Sequence, residues 1–351
     1  MNEKVLMKGN EAIAIAAIDA GCNCYFGYPI TPQTEITAYM ASNLPKTGGT
    51  FLQAESEISA INMVFGAAAA GARAMTSSSS PGISLKQEGL SYIAGCELPC
   101  VVVDIMRAGP GLGGILSSQG DYFQIVKGGG HGDYRNIVFA PYSVQEMYDL
   151  TYEAFNIADK YRITVVILAD SMLGQIMEAV KITEQKHKRT YAKDWALTGT
   201  KLQRRRNIIK SLEIIGEKLE KHNNQLQKKY DTIKQNQARY EMYRCEDAET
   251  VAVAYGTTAR IAKGAVNTLR QEGIKAGLIR PITLWPFPDS AFVQVINTAK
   301  GFLTVEMSSG QMVEDVRLSV MGRKPVYFCG RTGGMVPTHD EIVNRMRSIA
   351  Y

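Results

Sequence analysis

The sequence predicts an α/β fold of two units, each built on a mainly parallel sheet. Apolar strand-length runs alternate with amphipathic helix-length runs through residues 1–182 and again through 248–351. Two of the runs, Val101-Val102-Val103 and Thr164-Val165-Val166-Ile167-Leu168, are β-branched and uncharged, as suits strands covered by helices on both faces. Unusual side chains collect in Gly- and Ser-rich loops after the strands, where open parallel sheets keep their ligand crevice.

In chain order, spacing predicts helices in the first unit at about 8–20, 32–43, 55–71, 83–95 and 143–158. Strands are expected at about 23–27, 49–52, 73–77, 99–106, 136–139 and 163–169. The most structured punctuation is Gly27-Tyr28-Pro29-Ile30-Thr31-Pro32-Gln33-Thr34-Glu35, a strand end, a bend and a helix start. Pro29 imposes an extended conformation on Tyr28. Thr31 occupies an expected N-cap, and Pro32 the first helical position, where no N–H is needed. The helix then runs through Ile36, Tyr39 and Met40. Its start can hold an anion; spacing alone favours Thr31 as a cap and nothing more.

Two loops follow other strands. One is Thr76-Ser77-Ser78-Ser79-Ser80-Pro81-Gly82. The other runs from Arg107 to Gly132, with Gly109-Pro110-Gly111, Gly113-Gly114, Gly128-Gly129-Gly130 and His131. A Gly-rich loop of that length in a compact domain is usually functional.

Residues 183–247 read as a basic helical linker. Ile208, Leu212, Ile215, Leu219, Leu226, Tyr230 and Ile233 form its expected apolar stripe. Residues 201–244 carry 12 Lys/Arg against 5 Asp/Glu, whereas the rest of the chain carries 27 against 29. The net charge of +5 therefore belongs to one segment and gives no reason to expect nucleic acid. In 248–351, Val251–Tyr255 is an expected strand, and Thr257 and Thr258 cap a helix at about 259–271. Ala276–Ile279, Gly301–Glu306 and Val326–Cys329 are further expected strands. Arg280 to Pro288 is a stiff apolar connection that packs the two units.

The length of 351 residues allows two or three domains. No apolar run approaches the roughly 20 residues of a membrane span. Glu11 and Asp19 interrupt the N-terminal apolar stretch, so no signal peptide is expected and cytoplasm is the default. Cys22, Cys24, Cys96, Cys100, Cys245 and Cys329 match neither a disulfide framework nor an iron–sulfur array, which leaves buried free thiols. With four His, a His/Cys zinc site is poorly supported.

Walker A, HExxH and GxSxG motifs are absent, and His131 has no matching nucleophile. Three residues stand out. Glu57 leads into the nearly uncharged helix 60–70, where a carboxyl group can share a proton with a basic ring nitrogen. It can also be a first-turn carboxylate favoured by the helix dipole. Arg107 follows an expected buried strand and precedes the Gly loop. Its guanidinium can grip a carboxylate in bidentate fashion or form a structural salt bridge. Thr31 is the third. These residues do not define a self-sufficient active site.

The strings GYPITPQTEI, QAESEISAIN, AAAAGARAMTSSSSPG, MRAGP and KGGGHGDYRN together resemble the 2-oxoacid:ferredoxin oxidoreductases. They are similar to the alpha-type subunit that carries the pyrimidine-binding domain of the thiamine diphosphate site. RPITLWPFP and VAYGTTARI resemble that family's transketolase C-terminal-like domain. The resemblance spans nearly the whole chain and, through DWALTG and the helical linker, leans to the branched-chain members acting on 3-methyl-2-oxobutanoate.

The resemblance implies a pyrimidine-type thiamine diphosphate domain at 1–182, a linker at 183–247 and a transketolase C-terminal-like α/β domain at 248–351. It implies CoA-dependent oxidative decarboxylation of a 2-oxoacid, with ferredoxin reduced. Glu57 matches the glutamate that contacts N1′ of the aminopyrimidine and activates the thiazolium C2. Thr31 and Arg107 match the residues that hold the 2-oxoacid, and Tyr28 and Pro29 shape the pocket wall. The diphosphate, its Mg2+ and the iron–sulfur clusters are expected on partners: a beta subunit, a gamma subunit and a ferredoxin-like subunit. The GDG…N motif that holds the diphosphate in the family is not found here. Neither nucleic acid nor membrane is an expected partner. A lipoamide-linked 2-oxoacid dehydrogenase subunit and a non-catalytic assembly subunit are the alternatives.

Overall fold

The computed structural model describes residues 4–182 and 191–351. Residues 183–190, the first part of the expected linker, and residues 1–3 lie outside the described residues.

The first part of the chain alternates as expected. Strand β1 (Lys4–Lys8) leads into α1 (Gly9–Asp19), and β2 (Cys24–Gly27) into α2 (Thr34–Asn43). Then come β3 (Thr50–Gln53), α3 (Glu57–Ala69), β4 (Ala74–Ser78) and α4 (Ser80–Gly95). Strand β5 (Cys100–Met106), the long loop, β6 (Ile137–Phe139), α5 (Val144–Tyr161) and β7 (Thr164–Asp170) follow. Short helix α6 (Ser171–Gln175) and β8 (Met177–Lys181) close this part.

Helix α7 (Gly216–Gln237) bridges to β9 (Tyr240–Tyr243), β10 (Thr250–Val253), α8 (Gly256–Gln271), β11 (Ala276–Pro281) and β12 (Thr283–Trp285). The chain ends with α9 (Asp289–Val295), β13 (Gly301–Glu306), α10 (Met312–Val320), β14 (Val326–Gly330) and α11 (His339–Ala350).

The large sheet has the order β12-β6-β7-β5-β4-β2-β3. It is parallel except where β12 joins β6. Strands β5 and β7 lie side by side near its centre, with Val102 opposite Val166, and every residue of both is buried. Their β-branched stretches 101–103 and 164–168 suit a doubly covered position, because each fully buried Val or Ile contributes about 1.5–3 kcal/mol. The second sheet, β14-β13-β10-β11-β9, is parallel except for β9. On it, Ala262, Val266 and Leu269 of α8 pack with Ile342, Val343 and Met346 of α11. Strands β1 and β8 form a separate antiparallel pair that the spacing did not suggest.

Several expectations change. The Arg280–Pro288 connection is largely strand: β12 adds itself to the edge of the first sheet, and Trp285 meets Tyr230 of α7 edge to face at 5.7 Å. Strand β9, inside the expected linker, belongs to the second sheet. The apolar stripe is helical only from Leu219 onward. Leu226, Tyr230 and Ile233 are buried, whereas Ile208 and Leu212 lie before the helix and are exposed. Thr257 and Thr258 do not cap α8 from outside; both lie within it. Thr257 Oγ1 donates to Asp170 at 2.6 Å, and Thr258 Oγ1 to the Tyr255 carbonyl at 2.8 Å. All six cysteines are free, and five are buried. Among the described residues, no helix is long and apolar enough to cross a membrane, and no cluster of His, Cys, Asp and Glu could hold a metal ion.

Candidate active site

The carboxyl ends of β2, β3, β4 and β5 share one rim of the large sheet. The bend after Gly27, the start of α3, the start of α4 and Arg107 all lie on that rim.

The bend does not cap its helix as its spacing suggested. Helix α2 begins at Thr34, its N-cap is Gln33, and Thr31 and Pro32 form a turn ahead of it. The reason is tertiary. The Pro32 carbonyl accepts from Asn10 Nδ2 at 2.8 Å and Gln175 Nε2 at 3.1 Å, which ties the bend to α1 and α6 before the helix can start. Asn10 and Gln175 also donate to Glu35, which pairs with Lys8 at 2.9 Å. Burial pushes the Glu35 pKa up, but these donors outweigh it and hold the carboxyl below its ordinary value. Gln33 is fully buried beneath the bend, and its Oε1 accepts from Ser77 Oγ at 2.5 Å. Tyr25 Oη joins Ser77 and Thr37 there at 2.6 and 2.9 Å. Tyr28, Pro29 and Thr31 remain exposed above this clamp.

Arg107 and Thr31 are brought together. Arg107 Nη1 donates to the Thr31 carbonyl at 2.9 Å, and Nη2 to the Leu112 carbonyl at 3.4 Å. The Thr31 hydroxyl takes no part. No ion pair to Arg107 forms among the described residues, so the structural salt bridge weighed from sequence is not what is found. Its Nε is buried without a partner among them.

Below Arg107 sits a polar cluster the sequence did not suggest. Arg107 N–H donates to Ser80 Oγ at 2.9 Å, and Ser80 Oγ donates to Asp121 at 2.5 Å. Asp121 in turn meets Asp104 of β5, which is fully buried. Burial and the Asp121 charge push Asp104 far above the usual carboxylate range, so it keeps its proton. The Ser80 backbone opposes that push with a hydrogen bond to Asp104, and as an acid Asp104 donates to Asp121.

Glu57 occupies the first position of α3, behind the N-cap Ser56, whose hydroxyl accepts from Ser59 N–H at 3.1 Å. Its side chain is 6% exposed. The carboxylate lies in a slot that exists because residue 82 is glycine. A Cβ there would fall 2.5 Å from Glu57 Oε1 and collide with Ser78 Oγ. Among the described residues no group donates a hydrogen bond to this carboxylate. On the same face of α4, one turn on from Gly82, is the fully buried Lys86. The sequence carried a signal for it: a lysine in the apolar stripe of Ile83, Leu90 and Ile93.

A cavity of about 540 Å³ opens beside Arg107, lined also by Asp121 and Gly109–Gly111. Its far wall is Ser308, Ser309 and Thr332 from loops after β13 and β14, so the second sheet closes it. Gln119 seals the junction: its backbone N–H donates to the Met307 carbonyl at 2.8 Å and its Nε2 to the Tyr255 carbonyl at 2.9 Å. Glu57 is not part of this cavity.

Residues 15–242 match the family model described as pyruvate flavodoxin/ferredoxin oxidoreductase, thiamine diP-bdg. Residues 248–342 match pyruvate:ferredoxin oxidoreductase core domain II. The chain belongs to this oxidoreductase family. It is a subunit of a 2-oxoacid:ferredoxin oxidoreductase with a thiamine diphosphate-binding domain. It is 52% identical over 345 residues to the ketoisovalerate oxidoreductase subunit VorB of Methanothermobacter thermautotrophicus, covering 98% of this chain and 97% of that one. It superposes with TM-score 0.89 and 28% identity on the 2-oxoglutarate:ferredoxin oxidoreductase from Magnetococcus marinus, solved with 2-oxoglutarate, coenzyme A and succinyl-CoA bound. That match covers 100% of this chain and 66% of that one. A split-gene transketolase, an inactive beta4 tetramer, shares the fold at TM-score 0.61 and 12% identity, covering 98% of each chain. The expected α/β fold, with its transketolase-like second part, is therefore what the family has. The lipoamide-linked and non-catalytic alternatives give way to the family assignment.

Proposed function

We propose that this chain supplies the aminopyrimidine-binding half of a composite thiamine diphosphate site in an enzyme that oxidises a branched-chain 2-oxoacid to its acyl-CoA. The observation that carries this reading is the Glu57 carboxylate, buried against Gly82 and unclaimed by any donor among the described residues, on the same rim as Arg107. A buried carboxyl group with open valence suits a basic ring nitrogen, so the residues present fit the pyrimidine end of the cofactor.

When bound, the cofactor supplies the carbon nucleophile and the electron sink for decarboxylation. Glu57 holds the proton shared with the ring nitrogen N1′. Arg107, anchored by backbone carbonyls rather than by a carboxylate, keeps its charge for the carboxylate of the 2-oxoacid. Thr31 presents its hydroxyl beside that guanidinium, and Tyr28 and Pro29 form the outer wall. Loops of the second sheet line the cavity beside Arg107. In this reading the diphosphate and Mg2+ are held by a beta subunit. Gamma and ferredoxin-like subunits complete the enzyme and carry its clusters, and CoA and ferredoxin complete the reaction.

The branched-chain substrate rests on 52% identity over nearly the full length with the ketoisovalerate enzyme subunit, against 41% with the 2-oxoglutarate synthase subunit KorA of Archaeoglobus fulgidus. The test is calorimetric titration of thiamine diphosphate into this chain alone and into the assembled enzyme, followed by kcat/KM for several 2-oxoacids. Tight binding by the isolated chain, or preference for a dicarboxylate, would overturn the proposal.

A further inference from the structure

Lys86 is a lysine with no exposed surface, inside a helix of the thiamine diphosphate-binding domain. Lysine is almost never fully buried unless paired, because desolvating an ammonium is costly. Here its Nζ donates to the Thr76 hydroxyl of β4 at 3.2 Å, and no direct ion pair forms among the described residues. Burial pushes its pKa down to about 8, opposed by the charge of Glu57 from α3. From the neighbouring strand β5, Asp104 is neutral and turned to Asp121, and Asp121 is held by Ser80 at the helix start. Glu57 is thus the charge to which Lys86 responds.

The geometry is specific. Gly82 and Lys86 are four residues apart on α4 and so share a face. The first leaves the slot in which the Glu57 carboxylate lies, and the second places a cation one turn along. A methionine would fill the same space without the desolvation cost.

We propose that Lys86 is a positioning residue for Glu57: its buried cation, one turn along α4 from the Gly82 slot, holds the carboxylate toward the cofactor's ring nitrogen. Lys86 itself touches neither cofactor nor substrate. The proposal rests on the reading of Glu57 as the cofactor-activating residue.

The test uses the assembled enzyme without substrate. Hydrogen–deuterium exchange at the thiazolium C2 of bound thiamine diphosphate is followed against pH in wild type, Lys86→Met, Lys86→Gln and Glu57→Gln. Removing the cation makes the carboxyl group hold its proton to higher pH. The exchange profile of both Lys86 variants should therefore move upward by about one pH unit, tenfold in proton affinity. A profile unchanged in both variants, with exchange lost in Glu57→Gln, overturns the role of Lys86 alone. Exchange unaffected by Glu57→Gln overturns the reading of Glu57, and the Lys86 proposal with it. Should the Lys86 variants not fold, carbon-13 lysine NMR of the full wild-type and Glu57→Gln chains reads the same coupling from the other side. The Lys86 titration should move to lower pH when the Glu57 charge is removed, and an unchanged titration overturns the proposal.

Discussion

Arg107 donates from Nη1 to the backbone carbonyl of Thr31 at 2.9 Å, so the bend and the strand-end arginine are joined through the main chain. The Thr31 hydroxyl takes no part in this contact, while Nη2 of the same guanidinium donates to the Leu112 carbonyl at 3.4 Å. Thr31→Val keeps the carbonyl that anchors Arg107. In the assembled enzyme it should lower kcat/KM by on the order of tenfold, the worth of about one hydrogen bond, while the melting temperature of the chain stays within error. A large drop in melting temperature would show that the hydroxyl is structural.

Arg107→Lys should cost more than Thr31→Val. Lysine keeps the charge but loses the planar fork that meets a carboxylate with two donors. A loss of 10²-fold, matching roughly 1.5–3 kcal/mol for a charged hydrogen bond, is expected mainly in KM for the 2-oxoacid. Initial-rate kinetics across substrate concentration separates KM from kcat; an unaltered KM would remove Arg107 from substrate binding.

Gly82→Ala should disturb the Glu57 slot. The added methyl group meets Glu57 Oε1 at 2.5 Å and collides with Ser78 Oγ. Overpacking of this kind costs about 1–3 kcal/mol. Urea denaturation of the chain should show that loss, and calorimetry of the assembled enzyme should show weaker thiamine diphosphate binding. Wild-type behaviour in both would mean that Glu57 can move aside freely.

The Asp104–Asp121 pair should make stability depend on pH. In the folded chain Asp104 keeps its proton well above the ordinary aspartate value, because it is buried beside another carboxylate. Above the ordinary value the unfolded chain has already released that proton, so the folded state binds more protons. Stability therefore falls as pH rises, by up to about 1.4 kcal/mol per unit for one proton. Asp104→Asn imitates the protonated acid and removes that slope. Urea unfolding at pH 5.5 and pH 8 should show the variant gaining on wild type at the higher pH; parallel behaviour of the two would refute it.

Helix α7 should draw most of its packing energy from Leu226, Tyr230 and Ile233. Tyr230 is buried against Trp285, and Tyr230→Ala should destabilise the chain by about 3–5 kcal/mol. Leu212 stands exposed ahead of the helix, and Leu212→Ala should fall within about 0.5 kcal/mol of wild type. Thermal or urea unfolding of the two variants checks the contrast.

Much of the fold was legible in the residues themselves. The uncharged β-branched runs at 101–103 and 164–168 became part of strands β5 and β7, because such side chains suit cover on both faces. The strand–loop–helix pattern placed Thr31, Glu57 and Arg107 on one rim, because parallel strands deliver all their following loops to the same edge. Local spacing was less reliable at the bend. Its N-cap moved from Thr31 to Gln33 because Asn10 and Gln175, distant in sequence, hold the Pro32 carbonyl. The prolines around Trp285 suggest a connection, yet it lies in strand β12. Whether a short apolar run becomes an edge strand depends on a free neighbour, here β6, and no local pattern encodes that.

What the sequence by itself determined was therefore the alternation, the rim and the residue types upon it. What only the tertiary structure decided was which groups share a proton or a charge. Lys86 with Glu57, and Asp104 with Asp121, are 29 and 17 residues apart in the chain. They act on each other because helix and strand packing removes the water that would otherwise screen them.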